Sequence, residues 1–289
     1  MRVLILGANG QLGSDIVEQF LASQDLKPIP ALRSDVDVTD HSRLKTYLRN
    51  MEYDVLVNCT SYHKTDEAED NATQAFTINA RAVGIMAHIC AEVGSKFVHF
   101  STDYVFGGLD IREPIPETAQ TCPLNVYGSS KALGEYFIQK ANCDYYTCRV
   151  SSLFGVSGSS GKGGNFIETI IKLAKSRDSI SVVSDQIMVP TSTKFIAKTV
   201  KNLLSNDAQS GVYHVVPNGQ ASWYDLASYV VEKLDLQCDA QPCSSDEYPT
   251  TARRPEYSVL SNSKLSSLEG DLPHWKALSN EYLADKGYI

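Results

Sequence analysis

The sequence lacks any apolar run long enough to cross a lipid bilayer, and its N-terminus lacks the cleavage site that ends a signal peptide. It also lacks an excess of positive charge, because 34 acidic residues against 26 basic ones leave a net charge of -8 at pH 7. Such a chain has no overall attraction for nucleic acid, so an anionic ligand must be held by locally placed arginines or by helix N-termini. We therefore predict a cytoplasmic protein that binds neither membranes nor nucleic acid.

Cysteine pairs of the Cys-x-x-Cys type are also absent. The seven cysteines are an odd number and are scattered through segments that look regular. This distribution favours small apolar side chains over a disulfide framework, a zinc site or a redox site. The sequence holds no convincing cluster of metal ligands, so no structural metal is predicted.

The first half of the chain alternates short β-branched runs with longer amphipathic stretches. The predicted strands are Val3 to Leu6, Pro28 to Leu32, Val55 to Cys59, Lys96 to Ser101 and Tyr145 to Val150. The first predicted helix runs from Gln11 to about Ala22. Repeated β-α-β units predict an α/β protein with a Rossmann-type, doubly wound parallel sheet that is covered on both faces.

The rhythm changes after about residue 150, where a glycine- and serine-rich loop from Gly155 to Gly164 precedes short mixed elements. We predict a dinucleotide-binding Rossmann domain over residues 1–150. Residues 151–289 are predicted to form mainly a smaller substrate-binding part, with some segments returning to the Rossmann domain. We find no flexible linker or internal repeat, so the two parts are expected to share one continuous body.

A glycine turn joins the first predicted strand to the first predicted helix. Gly7 permits the tight turn, Gly10 lets the backbone approach a phosphate, and Gly13 lets helix and strand pack closely. The helix N-terminus then faces the anion. The residues predicted to contact a dinucleotide pyrophosphate are Gly7, Asn9, Gly10, Gln11, Leu12 and Gly13.

The end of the second predicted strand bears on the choice of cofactor. Arg33 follows this strand, and Asp37 and Val38 come slightly later. An acid in this region binds the ribose hydroxyls of NAD, whereas an arginine suits the 2'-phosphate of NADP. Arg33 thus favours NADP(H), with NAD(H) as the alternative, although a solvated loop arginine is an equally good interpretation. Asp37 and Val38 are expected near the adenine.

Tyr127 and Lys131 have the four-residue spacing that places two side chains on one helix face. A nearby ammonium stabilises a phenolate, and it can bring a tyrosine into the working range for proton transfer. Spacing alone does not select this pair, because three other pairs share it: Tyr136 with Lys140, Tyr229 with Lys233, and Tyr282 with Lys286.

Position in the chain selects Tyr127 and Lys131. Tyr136 lies nine residues after Tyr127, about half a turn out of phase on the same helix, and the other two pairs fall outside the sheet-building half. Tyr127 and Lys131 follow the predicted strand that ends at Ser101, whose C-terminal end belongs to the ligand-binding edge of a doubly wound sheet. Thr102 at that end could donate a hydrogen bond to a substrate oxygen. Asp103 and Tyr104 are substrate-contact candidates as well, although the aspartate could instead cap the turn and the tyrosine could simply pack.

Three motifs together resemble those of the extended short-chain dehydrogenase/reductases. They are the glycine turn, the run Ser101-Thr102-Asp103-Tyr104-Val105-Phe106, and Tyr127-Gly128-x-x-Lys131-x-x-Gly134-Glu135. Within that superfamily the chain most resembles the dTDP-4-dehydrorhamnose reductase family. Further similar segments, from residue 2 to about residue 265, include Asp66-Glu67-Ala68-Glu69, Asn79-Ala80, Asn165-Phe166 and Arg254-Pro255.

This resemblance implies that NADPH or NADH reduces the 4-keto group of a nucleotide-linked 6-deoxy sugar, converting dTDP-4-dehydro-L-rhamnose to dTDP-L-rhamnose. Tyr127 would protonate the new oxygen, Lys131 would bind the nicotinamide ribose and lower the tyrosine pKa, and Thr102 would polarise the ketone. The further cofactor-binding residues that it implies are Cys59, Thr60, Ser61, Tyr62 and Asn79. The substrate-binding residues that it implies are Thr102, Asp103, Tyr104, Ser152, Asn165 and Arg254.

The chain departs from the family pattern in two segments. Cys59-Thr60-Ser61-Tyr62-His63 stands where the family usually has an alanine run followed by Tyr-Thr, and Ser152 replaces a tryptophan. Both changes concern the substrate pocket, so the identity of the sugar and of the base stays open. A reductase or epimerase of another nucleotide sugar is one alternative. Another is a non-catalytic NADP-binding regulatory subunit like that of methionine adenosyltransferase.

Quaternary structure and magnesium also stay open. Family reductases can pair through a magnesium-bridged carboxylate cluster, to which Asp15 would contribute, but Lys194 stands near where another acid is expected. We expect a monomer or a homodimer.

Overall fold

The computed structural model describes residues 1–157 and 164–289. The central part of the predicted glycine- and serine-rich loop, residues 158–163, lies outside the described residues. The elements of the first half are β1 (Arg2–Leu6), α1 (Gln11–Leu21), β2 (Lys27–Ala31), α2 (His41–Asn50), β3 (Val55–Asn58), α3 (Thr65–Asp70), α4 (Ala72–Phe76), a π-helical turn (Thr77–Ala82), α5 (Val83–Val93), β4 (Lys96–Thr102), a 3-10 turn (Asp103–Phe106), α6 (Val126–Lys140) and β5 (Tyr145–Val150).

The second half continues with shorter strands between helices. Its elements are β6 (Leu153–Phe154), α7 (Phe166–Ala174), β7 (Ser179–Val183), β8 (Ile187–Met188), β9 (Thr191–Ser192), α8 (Thr193–Ser205), β10 (Gly211–His214), β11 (Ala221–Ser222), α9 (Trp223–Lys233), β12 (Asp239–Cys243), a 3-10 turn (Ser245–Glu247), α10 (Ser263–Glu269) and α11 (Trp275–Asp285). Within the described ranges, no helix combines the length and the apolar character needed to cross a membrane.

Six strands form the central sheet in the order β2-β1-β3-β4-β5-β10, and every neighbouring pair is parallel. The alternation of side chains in β1 shows why both faces are covered. Val3 and Ile5 join an apolar cluster on one face, whereas Leu4 and Leu6 join the cluster on the other. The prediction of a doubly wound parallel sheet is confirmed, and each predicted strand lies within one residue of an observed one at each end.

The second half of the chain contributes to this sheet as well. β10 pairs with β5 and completes one edge, so a segment beyond residue 150 returns to the sheet-building part of the fold. Short two-strand ladders of β6 with β9, β7 with β12 and β8 with β11 lie beside it. The proposed division at residue 150 stays a prediction, with β10 on the Rossmann side.

The strand order reverses between β1 and β3, because β2 lies on one side of β1 and the next strand of the chain, β3, lies on the other side. Ligands of open α/β sheets bind at the carboxyl ends of the strands that flank such a reversal. Gly7 leaves β1 there with a φ of +75°, and its N–H donates to the Ala31 carbonyl at 3.0 Å. The fold therefore places the predicted glycine turn at the ligand-binding edge.

Gly13 lets α1 pack directly on this turn. A Cβ at Gly13 would overlap the Gly7 carbonyl oxygen and lie 2.9 Å from the Ala8 Cα, whereas a Cβ at Gly10 would lie 3.3 Å from the same carbonyl oxygen. Gly13 therefore has no room for any side chain, and Gly10 has nearly enough room for a methyl group.

We expect Gly13→Ala to lower the free energy of unfolding by about 2–3 kcal/mol, because α1 must shift away from the turn. Gly10→Ala is the matched control, and we expect it to cost less than about 1 kcal/mol. Urea unfolding of both variants measures the difference. Equal losses in the two variants would show that close packing at Gly13 does not stabilise the fold.

Candidate active site

The glycine turn forms a cradle suited to a pyrophosphate. Gly10 is the N-cap of α1 and offers no side-chain acceptor, so the backbone N–H groups of the first helical turn are free to face an anion. The side-chain amide nitrogen of Gln11 is buried there without a hydrogen-bond partner among the described residues. These features fit the phosphate end of a dinucleotide, and they contain the six residues predicted for it.

The loop after β3 is held by two asparagines. The Asn58 side-chain oxygen accepts hydrogen bonds from the Thr60 backbone N–H at 3.0 Å and from the Thr60 hydroxyl at 2.6 Å. Asn79, in the π-helical turn, accepts from the Tyr62 N–H at 2.8 Å and from the Ser61 hydroxyl at 3.1 Å. This loop starts at Cys59, whose N–H donates to the last carbonyl of β1 at 2.9 Å. The predicted cofactor residues from Cys59 to Tyr62 thus lie beside the glycine turn.

Thr102 ends β4 and is anchored by a buried carboxylate. Its hydroxyl donates to Asp103 at 3.0 Å and accepts from the Tyr104 N–H at 3.2 Å. Asp103 also accepts from Ser151 at 2.9 Å and from Ser258 at 2.6 Å. Burial raises the pKa of Asp103, and these three hydroxyl donors act in the opposite direction. In the free protein the Thr102 proton therefore already has an acceptor, and a ketone would compete with Asp103 for it.

Tyr127 enters the site from the first turn of α6. Asn125 caps this helix by accepting from the Gly128 N–H at 2.8 Å, which fixes where the first turn begins. The Tyr127 ring packs edge-on against Tyr104, with 5.8 Å between ring centroids. Burial raises the pKa of the Tyr127 phenol, while hydrogen bonding to Thr102 and Ser61 lowers it. The phenol thus lies beside Thr102, and it stays protonated at neutral pH.

Lys131 is buried one helical turn further along α6, with an exposed fraction of 2%. Its side-chain nitrogen contacts the Phe100 carbonyl, and it lies 3.2 Å from the His99 Nε2 atom. Burial lowers the pKa of Lys131 to about 8, and Glu135 acts in the opposite direction. In the free protein this side chain is directed at β4.

The site contains two residues that were not predicted from the sequence, Asn58 and His99. They are register partners in β3 and β4, both are 1% exposed, and their side chains lie 3.2 Å apart. A polar residue within an otherwise apolar buried strand was the available signal, because an unpaired buried polar group is costly.

The other Tyr-x-x-x-Lys pairs lie elsewhere. The Tyr136 side chain on the same helix is 52% exposed. Tyr229 donates to Asn280 at 2.7 Å, and Tyr282 donates to Glu168. Among the four tyrosines of this spacing, Tyr127 is the one that the structure joins to Thr102.

The predicted substrate residues are distributed unevenly around this edge. Arg254 forms an ion pair with Asp66 on α3, and its guanidinium lies 5.9 Å from the centre of the Tyr104 ring. Asn165 caps α7 and donates to the Tyr282 hydroxyl at 3.0 Å, so its polar atoms already have partners. Ser152 has a φ of +45°, an unusual conformation for serine, directly before β6. Substrate contact by these three residues stays a prediction.

The predicted cofactor-specificity residues lie beyond β2. Arg33 is exposed and pairs with Asp37 at 2.9 Å, while Asp37 also accepts from the Thr39 N–H at 2.9 Å. Val38 is buried, with 8% exposure. An open cleft of about 530 Å³ runs between Arg33, Thr39 and residues 70–77.

Lys194 lies at the surface where the family resemblance would place a magnesium-bridged carboxylate cluster. Its ammonium pairs with Glu281 at 2.8 Å and with Asp285 at 3.0 Å, while Asp15 accepts a hydrogen bond from Thr193. In the part of the chain that the structure describes, no group of three or more histidine, cysteine or acidic residues is arranged to hold a metal. The ammonium group of Lys194 thus neutralises two of the acidic side chains at this surface.

The fold and this site together define a short-chain dehydrogenase/reductase of the extended type, with a dinucleotide cradle and a Thr-Tyr-Lys set on one sheet edge. Residues 1–287 match the family described as "RmlD substrate binding domain". A dTDP-4-dehydrorhamnose reductase of Burkholderia thailandensis is 34% identical over 293 residues, which cover 96% of each chain.

Two solved structures agree with this match. A dTDP-4-dehydrorhamnose reductase of Clostridium acetobutylicum is 35% identical with a TM-score of 0.92, over 99% of this chain and 100% of that one. The Bacillus anthracis dTDP-4-dehydrorhamnose reductase, solved in complex with NADP, is 32% identical with a TM-score of 0.90, over 98% of this chain and 99% of that one. The chain belongs to the dTDP-4-dehydrorhamnose reductase family. The predictions of this family and of a nicotinamide-dependent oxidoreductase are confirmed.

Two buried histidines make the stability of the fold sensitive to acid. Burial holds the pKa of His99 well below 6.5, and burial and then Arg149 lower the pKa of His214 to about 3. Both rings are therefore neutral in the folded protein but bind protons in the unfolded chain below pH 6.5. The free energy of unfolding must fall as the pH drops through this range.

We expect this dependence to reach about 1.4 kcal/mol per pH unit for each histidine between about pH 6 and pH 4. Replacing His214 by glutamine should remove up to one histidine's share of the slope. Urea unfolding at a series of pH values measures both slopes. An unchanged slope in His214→Gln would contradict a neutral buried His214.

Proposed function

We propose that this chain reduces the 4-keto group of dTDP-4-dehydro-L-rhamnose to give dTDP-L-rhamnose, with NADPH as the preferred reductant. The observation that carries the proposal is the placement of Tyr127 against the Tyr104 ring and beside Thr102, at the edge that also holds the glycine turn. A ketone placed between these two hydroxyl groups lies at the carboxyl ends of the strands, where the fold binds ligands. The reductase names of full-length relatives support the same reaction.

When bound, the reduced nicotinamide supplies a hydride to C4 of the sugar. Tyr127 donates its phenolic proton to the oxygen that becomes negatively charged at C4. Burial keeps this phenol protonated near neutral pH, which is the state that an acid in the reducing direction needs. Thr102 holds the ketone oxygen by turning its proton from Asp103 to the substrate, and the remaining donors of Asp103 keep that carboxylate satisfied.

The nucleotide end of the substrate has a cation within reach. Arg254 lies beside Tyr104, and its ion-pair partner Asp66 has a side chain that is 44% exposed. Guanidinium groups bind phosphate oxygens through paired hydrogen bonds. We assign Arg254 to the substrate diphosphate, with Asp66 orienting the guanidinium.

We assign the preference for NADPH to Arg33. Its side chain is 79% exposed and lines the cleft beside residues 70–77, within reach of a 2'-phosphate. Its partner Asp37 keeps two hydrogen bonds from Thr39, so Arg33 can leave Asp37 without stranding that carboxylate. The Bacillus anthracis relative, solved with NADP, supports this assignment.

Tyr127→Phe should reduce the kcat of NADPH oxidation with dTDP-4-dehydro-L-rhamnose by about 10²–10⁴, because only the proton donor is lost. Tyr136→Phe is the matched control, since Tyr136 lies on the same helix with the same spacing to a lysine but is exposed. The decrease in absorbance of NADPH measures both rates. Full activity of Tyr127→Phe would refute the role assigned to this tyrosine.

A panel of other nucleotide-linked 4-keto sugars tests the substrate. The proposal expects the dTDP-linked 6-deoxy sugar to have the highest kcat/KM. A higher kcat/KM for another sugar nucleotide would retain the assignment as a reductase but would contradict the assigned substrate.

Arg33→Ala should raise the Kd of NADPH by about 10- to 100-fold and leave the Kd of NADH nearly unchanged, because only NADPH presents a 2'-phosphate. Arg43→Ala is the control, since Arg43 is a nearby exposed arginine that donates to the Asp35 carbonyl at 3.0 Å. Fluorescence titration of the wild-type protein and of both variants with each cofactor gives the six constants. Equal weakening of NADPH and NADH in Arg33→Ala would remove the arginine from cofactor selection.

A further inference from the structure

The orientation of the Asn58 side chain determines which nitrogen of His99 carries a proton. The Thr60 backbone N–H can only donate, so the Asn58 atom that it contacts at 3.0 Å is the oxygen. The amide nitrogen of Asn58 then lies at the other end, 3.2 Å from His99 Nδ1. Because this nitrogen is a donor, His99 Nδ1 must accept. A neutral His99 ring therefore carries its proton on Nε2.

That proton is directed at the amine of Lys131. His99 Nε2 and Lys131 Nζ are 3.2 Å apart. An ammonium group has no lone pair and cannot accept a hydrogen bond, whereas an unprotonated amine can. Only a neutral Lys131 can accept a hydrogen bond from His99 while it donates one to the Phe100 carbonyl. The contact geometry thus favours the unprotonated amine.

The surrounding charges do not reverse this preference. Glu135 lies one turn along α6, but Arg149 on β5 pairs with its carboxylate at 2.7 Å. Both members of that pair are buried, so their charges compensate each other inside the protein. Tyr127, on the same helix face, stays a neutral phenol near pH 7 because burial raises its pKa. His99 itself is neutral, as burial disfavours a second ring proton.

We propose that His99 is a positioning residue that holds the Lys131 amine unprotonated against β4, so that cofactor binding takes up one proton as Lys131 leaves His99. This inference rests on the proposed function and on the role that the family resemblance implies for Lys131, which is to bind the nicotinamide ribose. When Lys131 leaves the His99 N–H and binds the nicotinamide ribose, its amine meets the ribose hydroxyl oxygens. These oxygens can accept hydrogen bonds, so they favour the ammonium form of Lys131. The proton comes from the buffer and remains on Lys131 Nζ.

This arrangement separates two states of the active site. In the free protein a neutral Lys131 gives Tyr127 no electrostatic help. Loading of the cofactor creates the ammonium on the helix face that Lys131 shares with Tyr127. His99 acts through Lys131 and touches neither substrate nor hydride, so its effect has to appear in proton uptake and not only in rate.

Calorimetric titration of the free protein with NADPH in buffers of different ionisation enthalpy measures the proton uptake directly. At about pH 8 the 2'-phosphate, with a pKa of about 6, is already ionised and contributes little. We expect the wild-type protein to take up between about half a proton and one proton under these conditions. Lys131→Met should bind NADPH more weakly and take up none.

Asn58→Asp tests the tautomer. A carboxylate oxygen at this position keeps the Thr60 hydrogen bonds but accepts from His99 Nδ1, which leaves Nε2 free to accept from a Lys131 ammonium. The uptake should therefore fall close to zero while NADPH still binds. His99→Gln gives the same result by a different route, because its side-chain oxygen can accept from the ammonium. This second variant serves if the buried carboxylate of Asn58→Asp prevents folding.

The inference is overturned if the wild-type protein takes up no proton, if the uptake survives in Lys131→Met, or if a folded Asn58→Asp or His99→Gln variant shows the wild-type uptake. Its failure can be told apart from failure of the proposed function. If the wild-type protein takes up a proton on binding NADPH but does not reduce dTDP-4-dehydro-L-rhamnose, the inference stands and the proposed substrate is contradicted. Absence of NADPH binding in the wild-type protein contradicts both.

Discussion

Parallel pairing of β3 with β4 is the interaction on which the rest of the site depends. It places Asn58 opposite His99 in a buried part of the sheet. The same pairing brings the ends of both strands to one edge, where the loop from Cys59 and the turn at Thr102 begin. A shift of the register by one residue would turn these side chains to the other face of the sheet. The register therefore fixes the polar contacts of the site as well as the backbone.

Buried polar groups occur at this edge in satisfied sets. Asp103 collects three hydroxyl donors from segments far apart in the chain, and Glu135 meets Arg149 through several hydrogen bonds. Removing one partner from such a set leaves a buried group without its hydrogen bond or its counter-charge, which is far more costly than losing a surface contact. These sets tie β4, β5, α6 and the C-terminal segment together, and they hold the site in one geometry.

The sheet and the glycine turn could be predicted from the sequence, because both depend on local patterns. Alternation of apolar residues locates each strand, and the spacing of Gly7, Gly10 and Gly13 between a strand and a helix is typical of a dinucleotide-binding turn. The tyrosine and lysine of α6 were found by their position after β4. The direction of the Lys131 side chain was not predictable, because it is set by His99, which lies 32 residues away in the chain. Likewise, the capping role of Asn165 and the pairing of Arg254 with Asp66 arise only from tertiary packing.

β10 is supplied by residues 211–214, yet it lies at the edge of the sheet that the first half of the chain otherwise builds. During synthesis β5 therefore leaves the ribosome long before β10, the strand that pairs with its free edge. An uncovered parallel edge presents a row of unpaired backbone groups to any other chain nearby. The nascent protein thus passes through a period in which its nucleotide-binding half is nearly complete but still open to misassociation. The end of that period is set by the arrival of a short strand from the other half.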